Sequence, residues 1–142
     1  MIPAARLEIY RHLLAAVTEQ MGDTLERVAC SANIKERRDF SCALFDASGR
    51  LISQASHIPV HLGSMTESLA EARSRFDFRP GDAVLLNDPY AGGTHLPDIT
   101  MISPVFIGDS LVAFAVNRAH HADVGGAACG SMTLSRSIFE EG

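Results

Sequence analysis

Hydrophobic residues recur at spacings of three and four through residues 5–29. This period predicts one long amphipathic helix. Its apolar face consists of Tyr10, Leu14, Val17, Met21, Leu25 and Val28. Gly22 lowers the helix propensity without interrupting the period. Because one side of the helix is apolar, we expect it to dock against a sheet or a partner.

Two β-hairpins are predicted further along the chain. The first joins 40–46 to 51–55 through a short turn that contains glycine. The second joins 99–107 to 111–117, with Gly108-Asp109 as its turn. The two segments of the second hairpin are strongly β-prone and apolar, which favours strands over helices.

A second helix is predicted between the hairpins. Ser64 and Glu67 have the spacing of a capping box, with Ser64 as the N-cap residue, and the helix should run to about Phe76. A short buried strand is expected at 83–86. The sequence therefore predicts an α+β fold, with a long N-terminal helix, antiparallel β-hairpins and a second helix. We expect the helices to pack on one face of the sheet.

The composition is that of a globular protein and narrows the classes of function. Hydrophobic residues make up 46% of the 142 residues, charged residues make up 20%, and the net charge is −5. A negative chain with one interrupted basic run, 35–38, is poorly suited to binding nucleic acid. No apolar run approaches the length of a membrane span or a signal-peptide core, so no membrane association is expected.

Three cysteines, Cys30, Cys42 and Cys129, lie far apart and form no CxxC pair. Their odd number and their spacing argue against a disulfide framework and favour a cytoplasmic location. Each is interpreted as a small buried apolar residue. For Cys129, which lies in a glycine-rich loop near histidines, the alternative is a metal ligand or a reactive thiol.

Two glycine-rich loops concentrate side chains of the types that bind metal ions. The first contains His95 and Asp98, and the second contains His120, His121 and Asp123. The first loop leads into the opening strand of the second hairpin, and the second loop leaves its closing strand. Because those two strand ends lie side by side in an antiparallel pair, we expect the loops to meet at one site.

The residue types in these loops suit a metal site with two imidazoles and one carboxylate. His95 and Asp98 would supply two ligands. Either His120 or His121 would supply the third, since adjacent residues on an extended chain point to opposite sides. The other histidine and Asp123 would orient a ligand or contact the substrate. The alternative is a set of hydrogen-bonded loop histidines without a metal, because no motif as specific as HExxH is present.

Other polar residues have simpler interpretations. His57 and His61 are predicted to be partly buried histidines with satisfied hydrogen bonds. His12 is predicted to be a surface residue of the first helix. Arg118 is either one half of an ion pair or a contact for an anionic substrate group. Asp88 is either a turn former or a carboxylate that supports the site.

Sequence motifs for nucleotide binding and serine catalysis do not occur in the chain. It contains neither the phosphate loop of P-loop NTPases nor the Gly-x-Gly-x-x-Gly string of dinucleotide-binding folds. It also lacks the Gly-x-Ser-x-Gly elbow of serine hydrolases. Any ATP chemistry must therefore involve residues outside these motifs.

Four segments of the chain closely resemble the hydantoinase B/oxoprolinase family. In chain order they read SANIKERRDFS, HIPVHLGSM, NDPYAGGTHLPD and NRAHHADVGG, at residues 31–41, 57–65, 87–98 and 117–126. The family includes the B subunits of ATP-dependent N-methylhydantoinases, the C-terminal half of 5-oxoprolinases and a large subunit of acetone carboxylases.

The resemblance implies an activity, a metal and a partner. It implies a hydrolase that acts on cyclic amide C–N bonds within a hetero-oligomer, in which a hydantoinase A-type subunit binds ATP. It also implies a divalent metal ion, with Zn, Mn and Fe all possible, held by a His-x-x-Asp pair and a later histidine. Carried over, those positions are His95, Asp98 and His120. His121 and Asp123 would then be catalytic residues that face a small-molecule substrate.

Two alternatives to the hydrolase stay open. One is an ATP-dependent ketone carboxylase subunit of the acetone carboxylase type. The other is an inactive, truncated assembly module whose first helix docks on a partner. Because members of the family are several times longer than 142 residues, 1–142 is expected to be the N-terminal portion of a hydantoinase B/oxoprolinase domain.

Overall fold

The computed structural model describes residues 2–58, 61, 63–128 and 134–141. These residues form helices and strands. In chain order they are α1 (Ala4–Val28), α2 (Ala32–Lys35), β1 (Phe40–Asp46), β2 (Leu51–Ser56), α3 (Ser64–Arg75), β3 (Val84–Leu86), β4 (Asp98–Ile107), β5 (Ser110–His120) and α4 (Ile138–Glu141). The predicted α+β class is confirmed, and α1 and the first hairpin match their predicted bounds to within about one residue at each end.

The strands form one antiparallel sheet in the order β2-β1-β5-β4-β3. Both predicted hairpins are present. The second is longer than predicted, because β4 begins at Asp98 and β5 continues to His120. Gly108 forms the turn between these strands with a φ of +58°, a conformation that favours glycine. β5 lies between β1 and β4, so its end is held on both sides.

Helices cover both faces of the sheet, so the prediction that they pack on one face is wrong. Alternate residues of β1 point to opposite faces. Ala43 and Phe45 join the core beneath α3, whereas Phe40 and Cys42 join the core beneath α1 and α2. The core beneath α3 also contains Met65, Leu69, Ala72, Ile102, Phe114 and Val116. Coverage on both sides explains why every residue of β1 except its last is buried.

The helix α1 packs through a stripe that is rotated from its predicted apolar face. Thr18 and Gly22 are buried, although neither belongs to that face. A Cβ atom at Gly22 would collide with Nε2 of His57, whose ring lies 4.5 Å from the ring of Phe40. Glycine therefore allows the helix to approach the sheet closely at the point where its propensity is poorest.

The N-terminal half of α1 extends beyond the sheet. Its large apolar side chains are exposed there: Leu7, Ile9, Tyr10, Leu13 and Val17. The predicted docking of α1 is thus confirmed for its C-terminal half only. Within the described part of the chain, no helix is long and apolar enough to cross a membrane.

The helix α3 begins differently from its prediction. Gly63, with a φ of +85°, is the N-cap residue, so the predicted capping box with Ser64 at the N-cap is wrong. The hydroxyl of Ser64 instead donates to the carbonyl of His61 at 3.1 Å and accepts a hydrogen bond from Arg118. This serine binds a buried arginine and does not cap the helix.

The two cysteines that the structure describes differ in burial. Cys42 is buried as predicted, and this burial, with a smaller contribution from Glu19, raises the pKa of its thiol to about 12. The thiol of Cys42 is therefore protonated and unreactive near neutral pH. Cys30 is exposed, contrary to prediction. Cys129 lies outside the described residues, so its predicted alternatives are not tested.

Candidate metal centre

The ends of β4 and β5 bring the two polar loops together. Asp98, the first residue of β4, lies directly opposite His120, the last residue of β5. The amide of His121 donates to the carbonyl of Pro97 at 2.8 Å, and the amide of His120 donates to the carbonyl of Asp39 at 2.9 Å. The prediction that the loops meet at this end of the hairpin is confirmed.

Three side chains converge at these strand ends. Nε2 of His95 lies 3.1 Å from Nδ1 of His120 and 3.1 Å from Oδ1 of Asp98. Nδ1 of His120 lies 2.9 Å from the same carboxylate oxygen. Asp98 and His120 are buried, whereas the side chain of His95 is 32% exposed. The triangle of donor atoms is therefore reached from solvent past His95.

The donor set fits a divalent metal ion. Ligand atoms bonded at about 2.1 Å to one ion, with bonds near right angles, lie about 3 Å apart. The sides of the triangle have this length. Two imidazole N–H groups that both donate to Asp98 are the alternative arrangement. The buried Nε2 of His120 has no hydrogen-bond partner among the described residues in either arrangement.

The carboxylate of Asp98 divides its oxygens between different partners. Oδ1 faces His95 and His120, whereas Oδ2 accepts a hydrogen bond from Thr94 at 2.5 Å and lies 3.6 Å from Nε2 of His61. Burial raises the pKa of Asp98. Its four neighbours His61, Thr94, His120 and His95 lower it by more, so that it lies well below its usual range. Asp98 is therefore an anion, as a metal ligand must be.

The loop that carries His95 is shaped by its own polar residues. Oδ1 of Asp88 accepts the amide of Tyr90 at 2.9 Å, and the carbonyl of Asp88 accepts two further amides within the loop. Nδ2 of Asn87 donates to the carbonyl of Leu96 at 2.9 Å and closes the loop. Of the two roles predicted for Asp88, the structure shows the turn former.

Gly92 allows this loop to lie directly against α3. Its φ is +82°, and a Cβ atom at this position would stand 2.8 Å from backbone atoms of Glu67 and Ser68. The carbonyl of Gly92 accepts hydrogen bonds from the hydroxyl of Ser68 and, at 3.4 Å, from Nη2 of Arg118. Glycine is required here both for its backbone conformation and for space.

Arg118 is completely buried and is surrounded by neutral acceptors. Its Nε donates to Thr100 at 2.7 Å, its Nη2 to Ser68 at 2.6 Å and its Nη1 to Ser64. The predicted ion pair does not occur within the described ranges, and full burial leaves the guanidinium no surface for a substrate group. Burial lowers the pKa of Arg118, and the nearby charge of Asp98 opposes this shift. Through these hydrogen bonds, Arg118 links β5 to β4, to α3 and to the loop that carries His95.

His61 and Asp39 adjoin the cluster, although neither was predicted to. His61 is fully buried, and its Nδ1 lies 3.2 Å from the hydroxyl of Ser41. Its Nε2 lies 3.6 Å from Oδ2 of Asp98 and 3.8 Å from Oδ1 of Asp39, with no hydrogen bond inside the described part of the chain. The prediction of a partly buried and satisfied histidine at this position is wrong.

The strand register explains why these residues gather. On the face beneath α3, Ser41, Arg118 and Thr100 form one row across β1, β5 and β4. Asp98 and His120 follow in the next row, with Asp39 beside His120. The face therefore changes from apolar core to polar site towards this edge. The sequence alone did not predict this gathering, because it depends on the pairing of β1 with β5, which are distant in sequence.

His121 and Asp123 lie outside the triangle. Of the two adjacent histidines, His120 is the one that joins the cluster. His121 is partly exposed; burial and then the charge of His120 lower its pKa, while Asp98 opposes the shift, so its imidazole is neutral at neutral pH. The carboxylate of Asp123 accepts the amide of Gly125 at 2.8 Å in an exposed turn. The structure does not bring Asp123 into the cluster.

A shallow cavity of about 450 Å³ opens beside His95. The loop residues Pro89, Tyr90 and Thr94 line one side of it, and residues 135–138 with Glu141 line the other. Nδ1 of His95 lies 3.8 Å from Oε1 of Glu141 across this space. The cavity therefore adjoins His95 and has the size of small-molecule sites, but its lining includes neither Asp98 nor His120.

Comparisons with known proteins match the chain to one family and to parts of larger proteins. The family model described as hydantoinase B/oxoprolinase matches residues 4–142. The chain is 49% identical over 140 residues to 5-oxoprolinase 1 of Arabidopsis thaliana. The structure is similar to an ATP-dependent caprolactamase from Pseudomonas jessenii (TM-score 0.82, 32% identity) and to an acetone carboxylase (TM-score 0.75, 24% identity). The likeness to the carboxylase is one of fold alone.

The chain spans a small part of each of these proteins. The alignments cover 96%, 90% and 89% of this chain, but only 11% of the plant 5-oxoprolinase, 22% of the caprolactamase chain and 17% of the acetone carboxylase chain. The described fold therefore resembles one section of each larger protein, and their whole activities do not follow from the match.

Proposed function

Because the chain belongs to the hydantoinase B/oxoprolinase family, we propose that it forms part of an ATP-dependent hydrolase that opens the C–N bond of a cyclic amide. The family match over residues 4–142 carries this proposal. The chain is 49% identical to a 5-oxoprolinase and 32% identical to a caprolactamase. Both enzymes are named after substrates that are cyclic amides. A hydrolase is preferred to a ketone carboxylase, because the acetone carboxylase is only 24% identical.

His95, Asp98 and His120 are proposed to hold a divalent metal ion. The support is the triangle of donor atoms with sides of 2.9, 3.1 and 3.1 Å, together with the anionic state of Asp98. When bound, the ion would polarise the substrate carbonyl or make a water molecule more acidic. Two nitrogen donors and one oxygen donor suit Zn, Mn and Fe, so the proposal leaves the metal open.

His121 and Asp123 are proposed to act on the substrate side of this site. His121 is neutral and partly exposed next to His120, so its imidazole is available to accept a proton or to donate a hydrogen bond to a bound molecule. Asp123 closes the exposed turn that follows and would fix the path of that loop. On this account His121→Ala lowers turnover and leaves metal content unchanged.

ATP is proposed to bind outside this chain, on a hydantoinase A-type subunit or on another part of a longer polypeptide. The sequence contains no phosphate-binding string, and the chain spans only 11% of the plant 5-oxoprolinase. Phosphorylation of the amide oxygen there would activate the carbonyl carbon. The site described here would then process the activated substrate within a hetero-oligomer.

Reconstitution with an A-type subunit tests this function. With ATP, we expect ring opening of 5-oxoproline or a hydantoin, and a loss of about 100-fold or more in His95→Ala, because that variant lacks one of the proposed metal ligands. Asp109→Asn, in the exposed turn at the far end of the β4–β5 hairpin, is the control and should keep full activity. Carboxylation of acetone without ring opening would assign the carboxylase activity. No turnover of any of these substrates would favour the inactive assembly module.

A further inference from the structure

His61 is a buried polar group to which the proposed function assigns no role. It lies between β2 and α3 with 0% exposure. Its Nδ1 is 3.2 Å from the hydroxyl of Ser41, and its Nε2 is directed between carboxylate oxygens of Asp98 at 3.6 Å and Asp39 at 3.8 Å. A buried imidazole nitrogen is unfavourable unless it finds a polar partner. The carboxylates are the partners that the fold offers.

These neighbours determine which nitrogen of His61 carries the hydrogen. An ionised carboxylate only accepts hydrogen bonds, whereas a serine hydroxyl both donates and accepts. Nε2 faces the carboxylates and therefore carries the hydrogen. Nδ1 then accepts the hydrogen bond that the hydroxyl of Ser41 donates. This tautomer directs the N–H of His61 at Oδ2 of Asp98.

We propose that His61 is a positioning residue that fixes the orientation of the Asp98 carboxylate. The inference rests on the proposed function, in which Asp98 is a metal ligand. Oδ2 of Asp98 is held by Thr94 on one side and faces His61 on another, so that Oδ1 is left to face His95 and His120. Partners of this kind orient metal-binding carboxylates and strengthen their binding.

Ser41 connects this arrangement to the rigid part of the fold. It is fully buried in β1 and lies in the same cross-strand row as Arg118. The sheet therefore holds Ser41, Ser41 contacts His61, and His61 faces Asp98. The orientation of the carboxylate then depends on Ser41 and His61 as well as on Thr94.

His57 provides a matched contrast within the same segment. Its Nε2 is also buried without a partner among the residues described. However, its ring lies against Phe40 and Gly22, beneath α1. Replacement of either histidine removes an imidazole whose Nε2 is buried, but only His61 faces Asp98. A comparison of His57 and His61 variants therefore distinguishes the effect of lost packing from the effect of lost positioning of Asp98.

Titration of the purified chain with Co²⁺ tests the proposal. His61→Leu should weaken Co²⁺ affinity about 10- to 100-fold and alter the visible absorption of the bound ion. His61→Gln, whose side-chain N–H extends to a position near Nε2, should recover most of both. Ser41→Ala should give a smaller change in the same direction, and His57→Leu should leave the affinity and the spectrum unchanged.

Two results would overturn the positioning role. One is an affinity and spectrum of His61→Leu equal to those of the wild type. The other is an equal loss of affinity in His61→Leu, His61→Gln and His57→Leu, which would mark a general loss of structure.

A readout that needs no metal keeps the inference separate from the proposed function. ¹⁵N NMR of the histidines in the metal-free chain should show His61 with its hydrogen on Nε2, and Asp98→Asn should shift that resonance. A hydrogen on Nδ1 would contradict the positioning role. If the wild type binds no Co²⁺, or binds it as tightly as His95→Ala does, the proposed metal site fails, and the NMR result still decides whether His61 donates to Asp98.

Discussion

Asp98 and Arg118 are two buried charges that the fold stabilises in different ways. Asp98 is surrounded by three imidazoles and a hydroxyl, which lower its pKa despite burial. Arg118 is surrounded by three hydroxyls and one carbonyl, all of them neutral. Each charge also lies within the electrostatic influence of the other. The polar end of the sheet is therefore a connected network in which most members depend on their neighbours.

Substitution of Arg118 should destabilise the fold. Arg118→Leu removes the guanidinium that donates to Ser64, Ser68 and Thr100. Arg118→Lys keeps the charge but lacks the planar fork that reaches all three. We expect each variant to lose ~2–4 kcal/mol of unfolding free energy in urea denaturation. The exposed Arg37 is the control, and Arg37→Leu should change little. A loss in Arg118→Leu no larger than in this control would contradict the structural role.

Residue types at the site were predictable, but several of their partners were not. His95, Asp98 and His120 could be selected because both loops adjoin one hairpin and match a family motif. The contacts of His61 and Arg118 depend on where β1 and α3 lie, and these are contacts between elements distant in sequence. An ion pair for Arg118 was a reasonable expectation. Three hydroxyls took its place, two from Ser64 and Ser68 of α3 and one from Thr100 of β4.

The β4–β5 hairpin is the element that assembles the candidate site. Its register places Asp98 opposite His120, and a shift of one residue would turn one of these side chains to the other face of the sheet. The glycine turn at Gly108 sets that register at the far end of the hairpin. The loop before β4 then has to bring His95 back over the strand ends, which it does by lying against α3.

Gly92→Ala should disturb the candidate site, whereas Gly108→Ala should not. Both glycines have a positive φ, but a Cβ atom at Gly92 would meet the backbone of α3, and one at Gly108 would meet open space. We expect Gly92→Ala to lose ~2–3 kcal/mol of unfolding free energy and to weaken metal binding, and Gly108→Ala to lose ~1 kcal/mol only. Urea denaturation and Co²⁺ titration measure both effects. Equal behaviour of the two variants would refute the packing argument.

Local periodicity predicted the helices and hairpins, but it did not predict how they dock. The bounds of α1 and β1 follow from patterns that a short window of sequence contains. The rotation of α1 follows from the close approach of Gly22 to His57, which is a tertiary contact. The predicted N-cap of α3 was wrong for a related reason, because the hydroxyl of Ser64 accepts a hydrogen bond from Arg118.

At the scale of the whole molecule, large apolar side chains are exposed on α1 and β3. Leu7, Ile9 and Leu13 on the N-terminal half of α1 are 59%, 58% and 56% exposed, and Leu85 on β3 is 67% exposed. The relatives are much longer than this chain, which covers 11% of the plant 5-oxoprolinase. Exposed apolar surfaces of this kind are typical of sites where a protein contacts another domain or subunit.

The purified chain should therefore associate through α1. We expect concentration-dependent oligomers in sedimentation velocity and binding of a hydrophobic dye, because the exposed leucines lie along one helix. Leu7→Glu combined with Leu13→Glu should reduce both signals. Glu8→Gln combined with Arg11→Gln, which changes neighbouring exposed polar residues, should not. A monomer without dye binding at every concentration would contradict this expectation.

Metal content measures the central claim most directly, namely that His95, Asp98 and His120 form one metal site. The chain is loaded separately with Zn²⁺, Mn²⁺ and Fe²⁺, dialysed and weighed by native mass spectrometry. The account predicts one bound ion per chain, its loss in His95→Ala, Asp98→Asn and His120→Ala, and its retention in His12→Ala and His121→Ala. Binding should weaken as the pH falls, because protons compete for the ligand atoms. Absence of a bound ion in the wild type, or its retention in His95→Ala, would contradict the claim.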